Sequence, residues 1–209
     1  MSNWVIAVEG LSSLQEVEGM RDEIRFNAVR AINETAAKFR TIGAERIRQQ
    51  INFPSNYLNP GAKRFYVSRK ATRSKLEAGI KARGRATSLA RFITGQSPGK
   101  EGVTVQVAKG KTQFLRRAFL VKLRAGAGNV DTKFNMGLAI RLKAGDKLRN
   151  KRYVRQMEKG LYLLYGPSVD QVFLAQGGPN PNRGVATDME PDMLDYMEDE
   201  FIRLLEAKI

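Results

Sequence analysis

Gln15–Ile51 reads QEVEGMRDEIRFNAVRAINETAAKFRTIGAERIRQQI, and its apolar residues recur every three or four positions: Ile24, Ala28, Ile32, Ala36, Phe39, Gly43, Ile47 and Ile51. That spacing lines one face of an amphipathic helix. Farther on, Val103, Val105 and Val107 alternate with Thr104, Gln106 and Ala108. That is the period of two of a half-buried strand. One long helix followed by a run of strands predicts an α+β fold, with a long N-terminal amphipathic helix and a C-terminal helix packed on an antiparallel β-sheet. A helix this long suits a core element over a sheet, with an oligomer-packing element as the alternative.

Working outward, Trp4, Ile6 and Val8 alternate with Val5 and Ala7 and read as a short strand before the helix. Pro54 and Pro60, among Asn52, Ser55, Asn56 and Asn59, close the helix and open a turn-rich loop. Strands are expected at Phe65–Val67, Leu76–Lys81, Ala90–Thr94, Phe119–Leu123 and Leu138–Leu142. If the last two pair as a hairpin, Lys122, Arg124, Arg141 and Lys143 share one face. Four like charges there repel unless an anion covers them or water and salt screen them.

The last part returns to helix. Leu161–Tyr165 runs into a turn at Gly166-Pro167-Ser168, and Gly177–Gly184, with Pro179 and Pro181, forms a loop. Asp188, Glu190, Pro191 and Asp192 then suit an acidic first turn with a proline at the helix start. Met193, Met197, Phe201, Leu204 and Leu205 supply its apolar stripe, while Asp195, Glu198, Asp199 and Glu200 read as a solvated acidic face. The parts of this single domain are thus residues 1–62 (strand and long helix), 63–176 (basic β-rich core with loops) and 177–209 (Pro/Gly loop and acidic terminal helix).

Charge follows the same division. The chain of 209 residues carries +15 overall, from 36 Lys plus Arg against 21 Asp plus Glu. Residues 1–62 are balanced, 63–159 carry +21 and 160–209 carry −6. A basic middle and an acidic end suggest head-to-tail contact between copies or an intramolecular clamp, and a basic surface plus a solvated acidic helix accounts for them equally.

Several chemistries are excluded or disfavoured. Without cysteine or histidine the chain has no disulfide, thiol nucleophile or Ser-His-Asp triad, and lacks the usual zinc and haem ligands. Gly95-Gln96-Ser97-Pro98-Gly99-Lys100-Glu101 departs from a phosphate-binding loop: three residues separate its glycines, and Glu101 stands where a hydroxyl is needed. No catalytic, cofactor-binding or metal-binding residue stands out, so an enzyme is not expected. Met1–Val8 lacks the basic start and long apolar run of a signal peptide, and no window of 18 uncharged apolar residues spans a membrane. Use in cytoplasm, or in a particle assembled there, is expected.

Two basic clusters point to partners. Lys63, Arg64, Arg69, Lys70, Arg73 and Lys75 surround Phe65 and Tyr66; Lys147, Arg149, Lys151, Arg152 and Arg155 surround Tyr153. Cations interleaved with aromatics suit phosphate contact and base stacking. Six such contacts to duplex DNA give a log–log salt slope of roughly −5. Docking on acidic protein is the competing reading.

Ser88-Leu89-Ala90-Arg91-Phe92, Gly102–Val107, Arg117-Ala118-Phe119-Leu120 and Leu164-Tyr165-Gly166-Pro167-Ser168-Val169 together resemble the minor tail protein Z family of tailed bacteriophages. The resemblance spans about residues 65–176, with the flanking helices similar in pattern and Asn129–Asn135 an added segment. It implies a virion structural protein, a tail-completion or neck component in a ring at the head–tail junction, assembled in the host cytoplasm. Its implied partners are itself, in a ring such as a hexamer, and neighbouring tail-terminator, tail-tube or head-connector proteins, with genomic DNA in the channel. The basic candidates for a partner- or DNA-facing surface are Lys63, Arg64, Arg69, Lys70, Arg73, Lys122, Arg124, Arg141, Lys143, Arg149 and Arg152. The inter-subunit candidates are Asp195, Glu198, Asp199 and Phe201. A non-sequence-specific nucleic-acid-binding protein is the alternative.

Overall fold

The computed structural model describes residues 3–7, 22–95, 101–123, 135–143, 153–158, 160–174 and 184–207. The periodic stripe folds as α1, Asp22–Gln50, burying Ala28, Ile32, Ala36, Phe39, Gly43 and Ile47 on one face. Asp22 and Glu23 open it and Arg48 lies in its last turn, each opposing the partial charge of its helix end. The architecture is α+β, with a helix near each end of the chain and antiparallel sheets between. The chain divides into two compact units: Met1–Ile47, Asn56–Gly84 and Val169–Ile209 form the first, Arg48–Ser55 and Arg85–Ser168 the second. The charge segments do not coincide with these units, because the first takes both helical ends together with the start of the basic middle.

In the first unit β1 (Asn3–Ala7), β2 (Phe65–Arg69) and β3 (Glu77–Ala82) form a sheet in the order β1-β3-β2. The register sets Trp4 and Val67 beside Ile80, Ile6 beside Ala78, and Phe65 beside Ala82, so these positions share a face. Phe65, 0% exposed, is the anchor of that face. Its ring meets Phe173 of α2 (Val169–Phe173) edge-on at 4.8 Å, and a Cβ on Gly43 of α1 would lie 3.1 Å from it. Glycine at 43 therefore lets α1 approach the sheet closely. A bulge at Ser68 turns Arg69 onto the opposite face of the sheet, where it pairs with Glu77.

The terminal helix, α3, spans Val185–Glu206. It starts six residues before Pro191, which therefore lies inside the helix and not at its start. A proline there removes one main-chain bond and costs ~3 kcal/mol in a helix interior. Val185 and Met189 are fully buried, each contributing about 1.5–3 kcal/mol, so the turns ahead of the proline hold.

The second unit contains β4 (Thr87–Ser88), β5 (Gly102–Val105), β6 (Gln113–Arg116), β7 (Ala118–Lys122), β8 (Met136–Arg141), β9 (Val154–Glu158) and β10 (Leu161–Gly166). One sheet runs β4-β10-β8-β7, with β9 also paired to β10, and β5 and β6 form a separate hairpin. Leu161–Tyr165, expected to open a helical part, is instead the strand joining three others. Its unbroken apolar run fits a strand covered on both faces, which short-range periodicity does not separate from helix. Ala90–Thr94 is likewise no strand: Leu89–Phe92 forms a 3-10 turn, and only Ile93 bridges to Val105.

β7 and β8 pair as expected, but the shared basic face does not form. Leu120 opposes Leu138 and Lys122 opposes Met136, whereas Ala139, next but one to Arg141, opposes Phe119. Lys122 therefore lies on one face, and Arg141 and Lys143 on the other. The long connection leaves the register undetermined in sequence, and a one-residue shift exchanges the faces. Arg141 instead meets Glu158 at 3.6 Å across β10.

Candidate functional site

The basic candidates do not gather into one site. Lys63 is exposed at a left-handed position, φ 50°. Arg64 folds inward, its guanidinium 4.3 Å from the centre of the Tyr57 ring. Arg69 and Lys75 both pair with Glu77. Lys70 and Arg73 are exposed on the connection from β2 to β3, Arg73 lying 5.7 Å from the Phe26 ring centre. Lys122 and Lys143 are exposed on β7 and just beyond β8. Arg124, Arg149 and Arg152, with the Asn129–Asn135 segment and the Gly177–Gly184 loop, lie outside or largely outside the described residues. The stacking proposed for Phe65 is overturned, because its ring is core.

The terminal helix is better organised. Asp195, Glu198 and Asp199 are exposed, and Phe201 is half-buried. Leu194 and Ile202 are also exposed, at 48% and 44%. At 100° per residue, Leu194, Glu198, Ile202 and Asp195 fall within about a third of the circumference. The helix therefore has a second apolar stripe, set among acids and facing away from the buried residues. Sequence reading missed it because the stronger Met193, Leu204 stripe absorbed the pattern.

The inner face packs antiparallel on α1. Glu200, Tyr196, Asp192 and Met189 meet residues near 34, 38, 46 and 43 in turn. Arg46 donates to the Asp188 carbonyl at 2.9 Å and to Asp192 Oδ2 at 3.0 Å. Lys38 Nζ stands 3.3 Å over the Tyr196 ring, a cation–π contact at the edge of the helix pair. Glu200, assigned in sequence to the solvated face, is 7% exposed. Arg203 Nε donates to its Oε2 at 2.9 Å and an Nη donates to Oε1. Arg203 holds the Glu200 carboxyl down to about 2, against the opposing effect of burial. Hydrogen bonding to Glu200 raises the carboxyl of Glu34 above its ordinary value. Burial raises the Tyr196 phenol in the same contact.

In the second unit the β5–β6 hairpin carries an exposed surface that was not among the candidates. Thr104 opposes Phe114 and Gly102 opposes Arg116, so Thr104, Phe114 and Arg116 share one face, with Val103 and Val105 buried on the other. Phe114 is 52% exposed. Lys109 and Lys111 are exposed in the connecting turn, where the main-chain N–H of Lys109 donates to Gln50 at 2.9 Å. The alternation Gln113-Phe114-Leu115-Arg116 was the signal available for this strand. Searches against models of protein families, curated proteins and solved structures found no match to this chain.

Proposed function

We propose that the chain is a structural protein of tailed-phage virions, a tail-completion or neck component. In this reading it forms a ring at the head–tail junction and joins the tail to the head-side connector. The observation that carries it is the presence on one chain of two unlike exposed patches: an acidic, partly apolar outer face on α3, and exposed cations with an exposed aromatic on the β5–β6 hairpin. Unlike patches that complement one another favour heterologous contacts, which close into rings when the rotation permits. The family resemblance across residues 65–176 supplies the location.

Quantitative mass spectrometry of purified virions, normalised to the tail-tube protein, tests this reading. A few copies per particle is the expected result, and absence from particles would overturn it. The exposed Lys70 and Arg73 favour, as a second reading, sequence-independent contact with duplex phosphates. Tight duplex binding by the isolated chain, falling steeply with salt, would support that reading.

A further inference from the structure

We infer that the outer face of α3 is a docking surface for the β5–β6 hairpin of a second copy of this chain. The inference rests on the ring reading and names its contact. The helix face offers Leu194 and Ile202, about 12 Å apart along the axis, with Glu198 between them and Asp195 beside them. Neither Asp195 nor Glu198 has an ion pair among the described residues. Aliphatic side chains alternating with these unpaired acids call for a partner that sets cations beside an apolar group.

The hairpin has that composition and size. Phe114 and Arg116 project from one face about 7 Å apart, as alternate residues of a strand do. Lys109 and Lys111 extend the cationic side at the turn. Lys109, Lys111 and Arg116 also lack an ion pair among the described residues. The ring of Phe114 then packs on Leu194, while Arg116, about 7 Å along its strand, meets Glu198, and the two lysines meet Asp195. A nucleic acid does not suit the helix face, whose acids repel phosphate. The contact joins different patches on the two copies, so each copy retains one free patch and the assembly propagates until it closes. Its charges steer docking and weaken with salt.

The chain contains no cysteine, so introduced thiols report this contact alone. Full-length Leu194→Cys and Phe114→Cys variants, mixed under mild oxidation, are expected to give a disulfide between the two variants. Either variant alone is expected to give little dimer. A doubly charge-reversed Asp195→Lys/Glu198→Lys chain is expected to lose self-association at least tenfold in sedimentation experiments, and Lys109→Glu/Lys111→Glu on the partner copy to restore it. Predominant Leu194→Cys homodimer, a charge reversal without effect, or a wild-type chain that stays monomeric at every concentration would overturn the contact. Presence in virions together with such a result leaves the ring reading standing and removes only this interface. Cross-linking by a chain absent from virions removes the ring reading and keeps the interface.

Discussion

Glu34 of α1 and Glu200 of α3 bring their carboxyl groups together, with Arg203 bound to Glu200, so a protonated Glu34 donates to the Glu200 carboxylate. The two shifts run in opposite directions, so the pair contributes differently on either side of the ordinary value of 4.5. Glu200 is lowered to about 2, and its contribution is present above 4.5 and lost as pH falls toward 2. Glu34 is raised, and its contribution is present below 4.5 and lost as pH rises through its raised value. Thermal unfolding from pH 2 to 7 is expected to show both limbs. Glu200→Gln is expected to flatten the acid limb, and an unchanged limb would show that other carboxylates produce it.

Glu34→Gln tests the other half of the pair. The amide donates to Glu200 at every pH and removes a like charge beside it. The cost is the exposed Arg30 pair at 3.7 Å, a contact worth little at the surface. At pH 7 the variant is expected to be more stable by roughly 0.5 kcal/mol, or one to two degrees in Tm. Differential scanning calorimetry at pH 7 and pH 4 should find the gain at pH 7 and little of it at pH 4.

Arg40 ties α1 to the chain on either side of the 3-10 turn Pro60–Ala62. It is buried, donating Nε and Nη2 to the Phe65 carbonyl at 2.9 Å each, and Nη2 also to the Leu58 carbonyl. Arg40→Leu keeps the side-chain bulk but leaves both carbonyls without this donor. A loss of about 1–3 kcal/mol is expected in urea unfolding. Arg40→Lys is expected to recover only part of it, since one ammonium does not reproduce the planar fork.

The helices at both ends and six of the seven expected strands were legible because their alternation shows in the local sequence. What was not legible depended on partners far away in sequence. Leu161–Tyr165 is apolar at every position and takes its identity from β8 and β9, not from its own spacing. Lys122 and Arg141 were placed on one face because nothing local fixes the β7–β8 register. Glu200 looked like its acidic neighbours until the approach of Glu34 and Arg203 distinguished it. Phe114, Leu194 and Ile202 were passed over for a related reason: exposure of an apolar residue is a property of the packed chain. The acids Asp195, Glu198 and Asp199 were legible as an exposed group because three charges within five residues of a helix do not all face a core.

Gly43 should accept alanine but not a larger side chain. A Cβ there would stand 3.1 Å from Phe65 Cζ and 3.3 Å from Met189 Cε. Met189 is flexible enough to give way, but Phe65 is held by Phe173 and by the sheet. Alanine gains about 1 kcal/mol of helix propensity against that crowding, so Gly43→Ala should lie near neutral. Gly43→Val adds bulk that the ring cannot avoid, and a loss of about 1–3 kcal/mol is expected in chemical denaturation.

Gly102 sets the geometry of the hairpin on which the docking contact depends. A Cβ at this position would lie 2.3 Å from the Leu115 carbonyl oxygen and 2.9 Å from Phe114 Cζ. The first neighbour is main chain, so relief requires β5 and β6 to separate or slip. Gly102→Ala is therefore expected to displace Phe114 and weaken the pairing of Gly102 with Arg116, while Val103 and Val105 keep the hairpin attached through the core. Hydrogen exchange should quicken across residues 113–116 with the helices of the first unit unaffected. Self-association should weaken along with it, because the aromatic and Arg116 no longer present one face. Faster exchange with undiminished association would separate the hairpin's geometry from assembly and assign the contact to another surface.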